Sequence, residues 1–233
     1  MTSGRDPDHV PARIRFRVDL RGLFAEILAA AHETESRTAR RLQESAEIID
    51  LAARGNEGDL LSLVQYVAAR ETDVAPRILR YSSIVSTFIL VESALSAICH
   101  ELQREDGFSL NLADLSGKGL DQCRKFLTRV AGVDLSELDP EWRQFSDWRR
   151  IRNCIVHANG DLSRAGDSGV IRQAMTRLDG VSESQSAWSH GGEIKIDAGA
   201  VEGLIQSGKS FVMGIMDRVF GPLPPDPLGK FLL

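Results

Sequence analysis

An all-α helical bundle, with a small β-hairpin or ribbon inserted before the last helix, is the fold class this chain predicts. Three observations lead there. Apolar residues recur at helical spacing through long Pro-free stretches, Gly- and Asn-rich breaks separate those stretches, and a single short segment, Glu193-Ile194-Lys195-Ile196-Asp197, alternates like a strand. At 233 residues the chain can bury a real core, and 42% hydrophobic against 26% charged residues excludes wholesale disorder. The net charge of −5 excludes a surface given over entirely to nucleic acid, so any phosphate binding is a local patch.

The elements follow in order. The residues before Val18 (1–17) read as a flexible arm, and 18–74 as an N-terminal helical region. Leu20, Phe24, Ile27, Leu28, Ala31, Thr38, Leu42, Ile49 and Ala52 form one helical stripe, stopped by Gly55-Asn56-Glu57-Gly58. A short helix over Asp59 to Arg70 comes next. The most apolar helix runs from Pro76 to Arg104, with a spine of Ile78, Tyr81, Val85, Phe88, Glu92, Leu95, Cys99 and Leu102. Glu92 is the odd member, because a carboxylate buried alone costs several kcal/mol, roughly. Its apolar stretch Ile84–Leu95 is too short to span a bilayer, so no membrane is expected.

Gly107 to Gly119 is a loop, and Leu120 to Ala131 is a helix capped by Gly132. Asp139-Pro140-Glu141 then gives a start signal: an Asp N-cap, Pro at the first helical position and an acid in the first turn. The helix it opens, over 140–158, stops at Asn159-Gly160. A helix over Gly169 to Leu178, the ribbon, and a last helix from about Ala200 to Phe220 follow, and 221–233 form a Pro-rich tail. Three cysteines without CxxC spacing exclude a disulfide framework, and a reducing cytoplasm is expected. The first ten residues carry no signal-peptide pattern.

The chemistry is concentrated in Trp148 to Gly160. On a helical wheel at about 100° per residue, Trp142, Phe145, Trp148, Ile151, Ile155 and Val156 share a face, and Arg152 falls inside it. Arg152 and Glu92 are two oddities that suggest each other as a pair. Asn153 and His157 are spaced i, i+4 and can hydrogen-bond. His157 lies in the last turn, at the negative end of the helix dipole. An imidazole can take a proton from a ribose 2′-hydroxyl or give one to the leaving 5′-oxygen, and a guanidinium can neutralise charge on the phosphate. Such a set cleaves RNA with no metal and no cofactor. Arg152 and His157 stand roughly 140° apart on an ideal helix, so two copies meeting across a two-fold axis would complete the site.

At these residues the sequence resembles the HEPN superfamily, the higher eukaryote and prokaryote nucleotide-binding domains. Arg152-Asn153-Cys154-Ile155-Val156-His157 fits its Arg-x4–6-His signature, including the polar residue after the Arg. The resemblance covers 75–220 and extends to the Phe88–Glu92 helix, Trp142, the ribbon and the final helix. It implies an all-α homodimer formed through the motif helices. It also implies a metal-independent endoribonuclease of the kind found in toxin–antitoxin and anti-phage defence systems, with RNA as substrate and an antitoxin or other regulatory protein as partner. By this resemblance Arg152 and His157 match the catalytic pair, Asn153 the residue that positions them, and Glu92 the acid that holds the Arg in some members.

Each residue also has a plainer reading. Glu92 and Arg152 can be a structural ion pair that sets bundle register. Arg143, Arg149 and Arg150 are either a solvated face or a phosphate track beside the histidine. The cysteines read as small core residues, Trp142 and Trp148 as core anchors, and no histidines share a metal-ligand spacing. The rival function is a non-catalytic dimer of the same bundle that binds RNA, nucleotide or a protein.

Overall fold

The computed structural model describes residues 12–54, 62, 64–67, 73–185 and 192–222. It is all-α with a small two-stranded sheet before the last helix. Helix α1 is Ala12–Arg54 and α2 is Ala75–Asp106. A 3-10 turn, Leu112–Asp114, precedes α3, Leu120–Lys125, which runs on as a π-helical turn, Phe126–Val130. Helix α4 is Asp139–Ala158 and α5 is Ser168–Met175. Strands β1, Val181–Ser184, and β2, Glu193–Ile196, pair antiparallel with Val181 opposite Ile196 and Ser184 opposite Glu193. Helix α6, Ala198–Phe220, closes the described chain.

Contacts gather into two compact units interleaved along the chain. The first unit holds the described parts of 1–25, 88–143 and 206–233; the second holds those of 26–87 and 144–205. The expected Pro-rich tail and the helix over Asp59 to Arg70 lie largely outside the described residues.

In the first unit Phe88, Val91, Leu95, Ile98, Phe126, Phe211 and Ile215 are fully buried. Helix α1 begins at Ala12, ahead of the Val18 start read from periodicity. Within the added turns Arg17 is buried and donates to the carbonyls of Met216 at 2.6 Å and Gly221 at 2.7 Å, tying the start of α1 to the end of α6. The start of α4 also differs. Asp139 has helical φ and ψ of −60° and −36°, because the 3-10 turn Ser136–Leu138 feeds straight into the helix. Its carboxylate accepts from Arg124 at 2.6 Å instead of capping the helix, and that guanidinium stacks over the Trp142 ring at 4.8 Å.

In the second unit Ile84, Phe145, Ile151, Leu162, Ala174, Ile194 and Leu204 form the core. The buried stripe of α2 is Tyr81, Ile84, Phe88, Val91, Leu95, Ile98 and Leu102, while Ile78 from the expected spine is 53% exposed. Helix α2 is longer than its Ile84–Leu95 stretch, and by length and composition it is long and apolar enough to cross a membrane, with 44% of its most apolar window buried inside the protein.

Candidate functional site

Helix α4 ends where the sequence places its stop. Asn159 has φ 54° and Gly160 φ 79°, a left-handed pair that turns the chain out of the helix. The turn is tied down: the Gly160 N–H donates to the Cys154 carbonyl at 3.2 Å, and the Gly160 carbonyl accepts from Ile194 of β2 at 2.9 Å. Tyr81 of α2 seals this corner, donating its buried hydroxyl to the Ile194 carbonyl at 2.5 Å. Burial pushes the Tyr81 phenol well above its ordinary range, so it stays a neutral donor.

The faces of α4 divide as the wheel predicts, with one shift. Trp142, Phe145, Trp148, Ile151, Cys154, Ile155 and Ala158 are buried, and Val156 is 49% exposed. The apolar sector is therefore rotated toward Cys154, and Arg152 lies at its edge, half-buried with Nε enclosed. Its Nη1 donates to the Asn153 side-chain oxygen at 3.0 Å. Asn153 therefore spends its amide oxygen on Arg152, and among the described residues no hydrogen bond joins it to His157. Glu92 is half-buried in the first unit, with its carboxylate against Gly119, where a Cβ would come within 2.9 Å of Oε1.

His157 and Asn153 are exposed and line one concavity of about 320 Å³ with Arg150, Cys154, Arg164, Asp167 and Val170. Arg152 does not line it. Arg150 donates to Asp147 Oδ1 at 2.9 Å, and Arg177, just after α5, grips the same carboxylate with two bonds at 2.7 and 2.6 Å. Asp147 is buried, so the two guanidiniums supply the partners an enclosed carboxylate requires. Arg149 is half-buried, and Arg143 is exposed in the first unit. Burial pushes the Cys154 thiol up to about 11, consistent with a packing role.

Sequence reasoning missed Asp147, Arg177, Arg164 and Asp167. Asp147 and Arg177 are thirty positions apart, and no local spacing announces their pairing. Arg164 did have a signal: Asp161 and Ser163 form a side-chain turn just before it, with Asp161 Oδ1 accepting from Ser163 N at 2.8 Å and Oγ at 2.6 Å.

No family model, curated protein or solved structure matches this chain.

What the arrangement offers chemically is a solvent-accessible imidazole at a helix end, a polar neighbour one turn back, and several guanidiniums nearby.

Proposed function

We propose that the chain is a metal-independent endoribonuclease that acts as a homodimer through α4 and cuts RNA through its own 2′-hydroxyl. The observation that carries this reading is the exposed His157 at the end of α4, sharing an open concavity with Asn153 beside the Arg152–Asn153 hydrogen bond. The resemblance of Arg152 to His157 to the HEPN signature supports it. In the reaction one imidazole accepts the proton of the 2′-hydroxyl as its oxygen attacks phosphorus. The bond from phosphorus to the 5′-oxygen breaks, and an imidazolium gives that oxygen its proton. The products are a 2′,3′-cyclic phosphate and a 5′-hydroxyl. Arg152 stabilises the charge gathered on the non-bridging oxygens, and Asn153 holds Arg152. A second copy supplies the other imidazole across the two-fold axis, which is why one helix can point its Arg and His to different sides.

A second reading, a non-catalytic dimer that binds RNA or another partner, is favoured by the absence of Arg152 from the wall of the His157 concavity. Cleavage assays on single-stranded RNA separate the two. His157→Ala and Arg152→Ala each lower the rate by about 10²–10⁴-fold if the first holds. Intact cleavage by both variants rules out the assigned site, and RNA that is bound but never cut by the wild type establishes the binding module.

A further inference from the structure

We infer that Arg164, outside the motif, is the phosphate-binding side chain of the His157 concavity, and that the concavity seats a phosphodiester of single-stranded RNA. The inference rests on the ribonuclease reading of His157 and adds a substrate contact to it.

The neighbouring cations are already engaged. Arg150 is bound to Asp147 and to the Ser146 carbonyl, Arg152 to Asn153, and Arg177 to Asp147. Arg172 makes two bonds to Glu183, at 2.8 and 3.0 Å. Arg164 differs: among the described residues its guanidinium makes no hydrogen bond or close ion pair, acting on Asp161 only electrostatically, and it lines the same concavity as His157 and Asn153. A guanidinium with unspent donors in the same hollow as an imidazole suits the forked geometry of a phosphate.

Its backbone is already fixed. Leu162 is 1% exposed and anchors the loop, and its N–H donates to the Gly192 carbonyl at 3.0 Å. The Asp161 side chain closes on Ser163, whose bonds hold that carboxylate below its usual range, and Arg164 N donates to the Asp161 carbonyl at 3.3 Å. Binding therefore orders one side chain and no loop, which keeps the entropic cost low. A hollow of about 320 Å³ has room for the sugar as well as the phosphate, with Val170 and Cys154 as apolar wall. The rim also carries Asp167, which repels an anion and tunes the site against over-tight binding.

The test uses a short single-stranded 2′-O-methyl RNA, which has no free 2′-hydroxyl and cannot be cut, titrated into the full chain across a salt series. Arg164→Ala is expected to weaken binding about tenfold, the worth of one charge-assisted hydrogen bond. The slope of log affinity against log salt should fall by about 0.7, as for one lost phosphate contact on a single strand. Arg164→Lys keeps the slope and loses part of the affinity. Asp167→Asn acts in the opposite direction and tightens binding by about threefold, which a folding defect would not do.

Wild-type affinity and slope in Arg164→Ala overturn the subsite, and if the wild type still cuts unmodified RNA they overturn it alone. A wild type that neither binds the methylated RNA nor cuts the unmodified one overturns both readings. A free mononucleotide that competes as well as the oligomer overturns the assignment to a polymer.

Discussion

Two left-handed glycines, one in each unit, lie against a side chain of α2, and they differ in what a methyl group would strike. At Gly160, φ 79°, a Cβ would fall 2.1 Å from the Tyr81 hydroxyl oxygen and 2.8 Å from the ring carbon that bears it. That ring is buried and hydrogen-bonded, so it has nowhere to go. At Gly119, φ 55°, the same Cβ would meet only the far end of Glu92, at 2.9 Å. There the clash is with the tip of a four-bond side chain, not with a ring. The rigid corner holds the end of the helix that carries His157, whereas the pliable one holds the acid that the sequence pattern singled out. Position therefore matters more to the chemistry at the first than at the second.

The sharpest way to break this comparison is Gly160→Ala. Overpacking against Tyr81 together with left-handed strain should cost about 3 kcal/mol, read from denaturant midpoints. RNA cleavage should fall with it, because His157 sits three residues before the glycine. A change below about 1 kcal/mol would mean that the corner gives more easily than the Tyr81 packing implies.

Cys154 probes the closed side of the same helix end. With its thiol pushed up to about 11 by burial, the thiolate fraction at pH 8 falls about hundredfold below that of a group at the ordinary value. Alkylation of the folded protein should therefore be at least about a hundredfold slower than after unfolding. Reaction at the free-thiol rate would show that the buried face of α4 opens readily.

Tyr81→Phe keeps the ring and removes only the hydrogen bond to Ile194, for a loss of about 1–2 kcal/mol in the same denaturant measurement. Gly119→Ala should cost about 1–2 kcal/mol, nearly all of it backbone strain, because φ 55° with ψ −130° lies outside the wells an L-residue occupies. A loss at Gly119 as large as that at Gly160 would erase the difference between the two corners.

The sequence was informative where local periodicity and turn chemistry decide the outcome. The apolar stripe of α4, the Asn159-Gly160 stop and the period-two Glu193–Ile196 strand all follow from neighbours within a turn or two. It was silent where partners come from far along the chain. Arg17 falls in the stretch read as a flexible arm until the carbonyls of Met216 and Gly221 that it serves are in view. Asp147 reads as an ordinary surface acid until Arg150 and Arg177 close over it. Within the candidate site, Asn153 and His157 were legible from their i, i+4 spacing. Of Arg164 only the Asp161–Ser163 turn before it was legible, and of Asp167 nothing, because no local spacing shows that this loop lines the concavity. The wheel also misjudged Val156, since the buried arc of α4 is set by what packs on the helix, not by apolar residues alone.

The central claim, that His157 performs metal-free transesterification, is tested most directly by mapping the ends of RNA cut in excess EDTA by wild type and His157→Ala side by side. The account predicts 2′,3′-cyclic phosphate and 5′-hydroxyl ends from the wild type and no products above background from the variant. Equal cleavage by both, or ends bearing a 5′-phosphate, would contradict it.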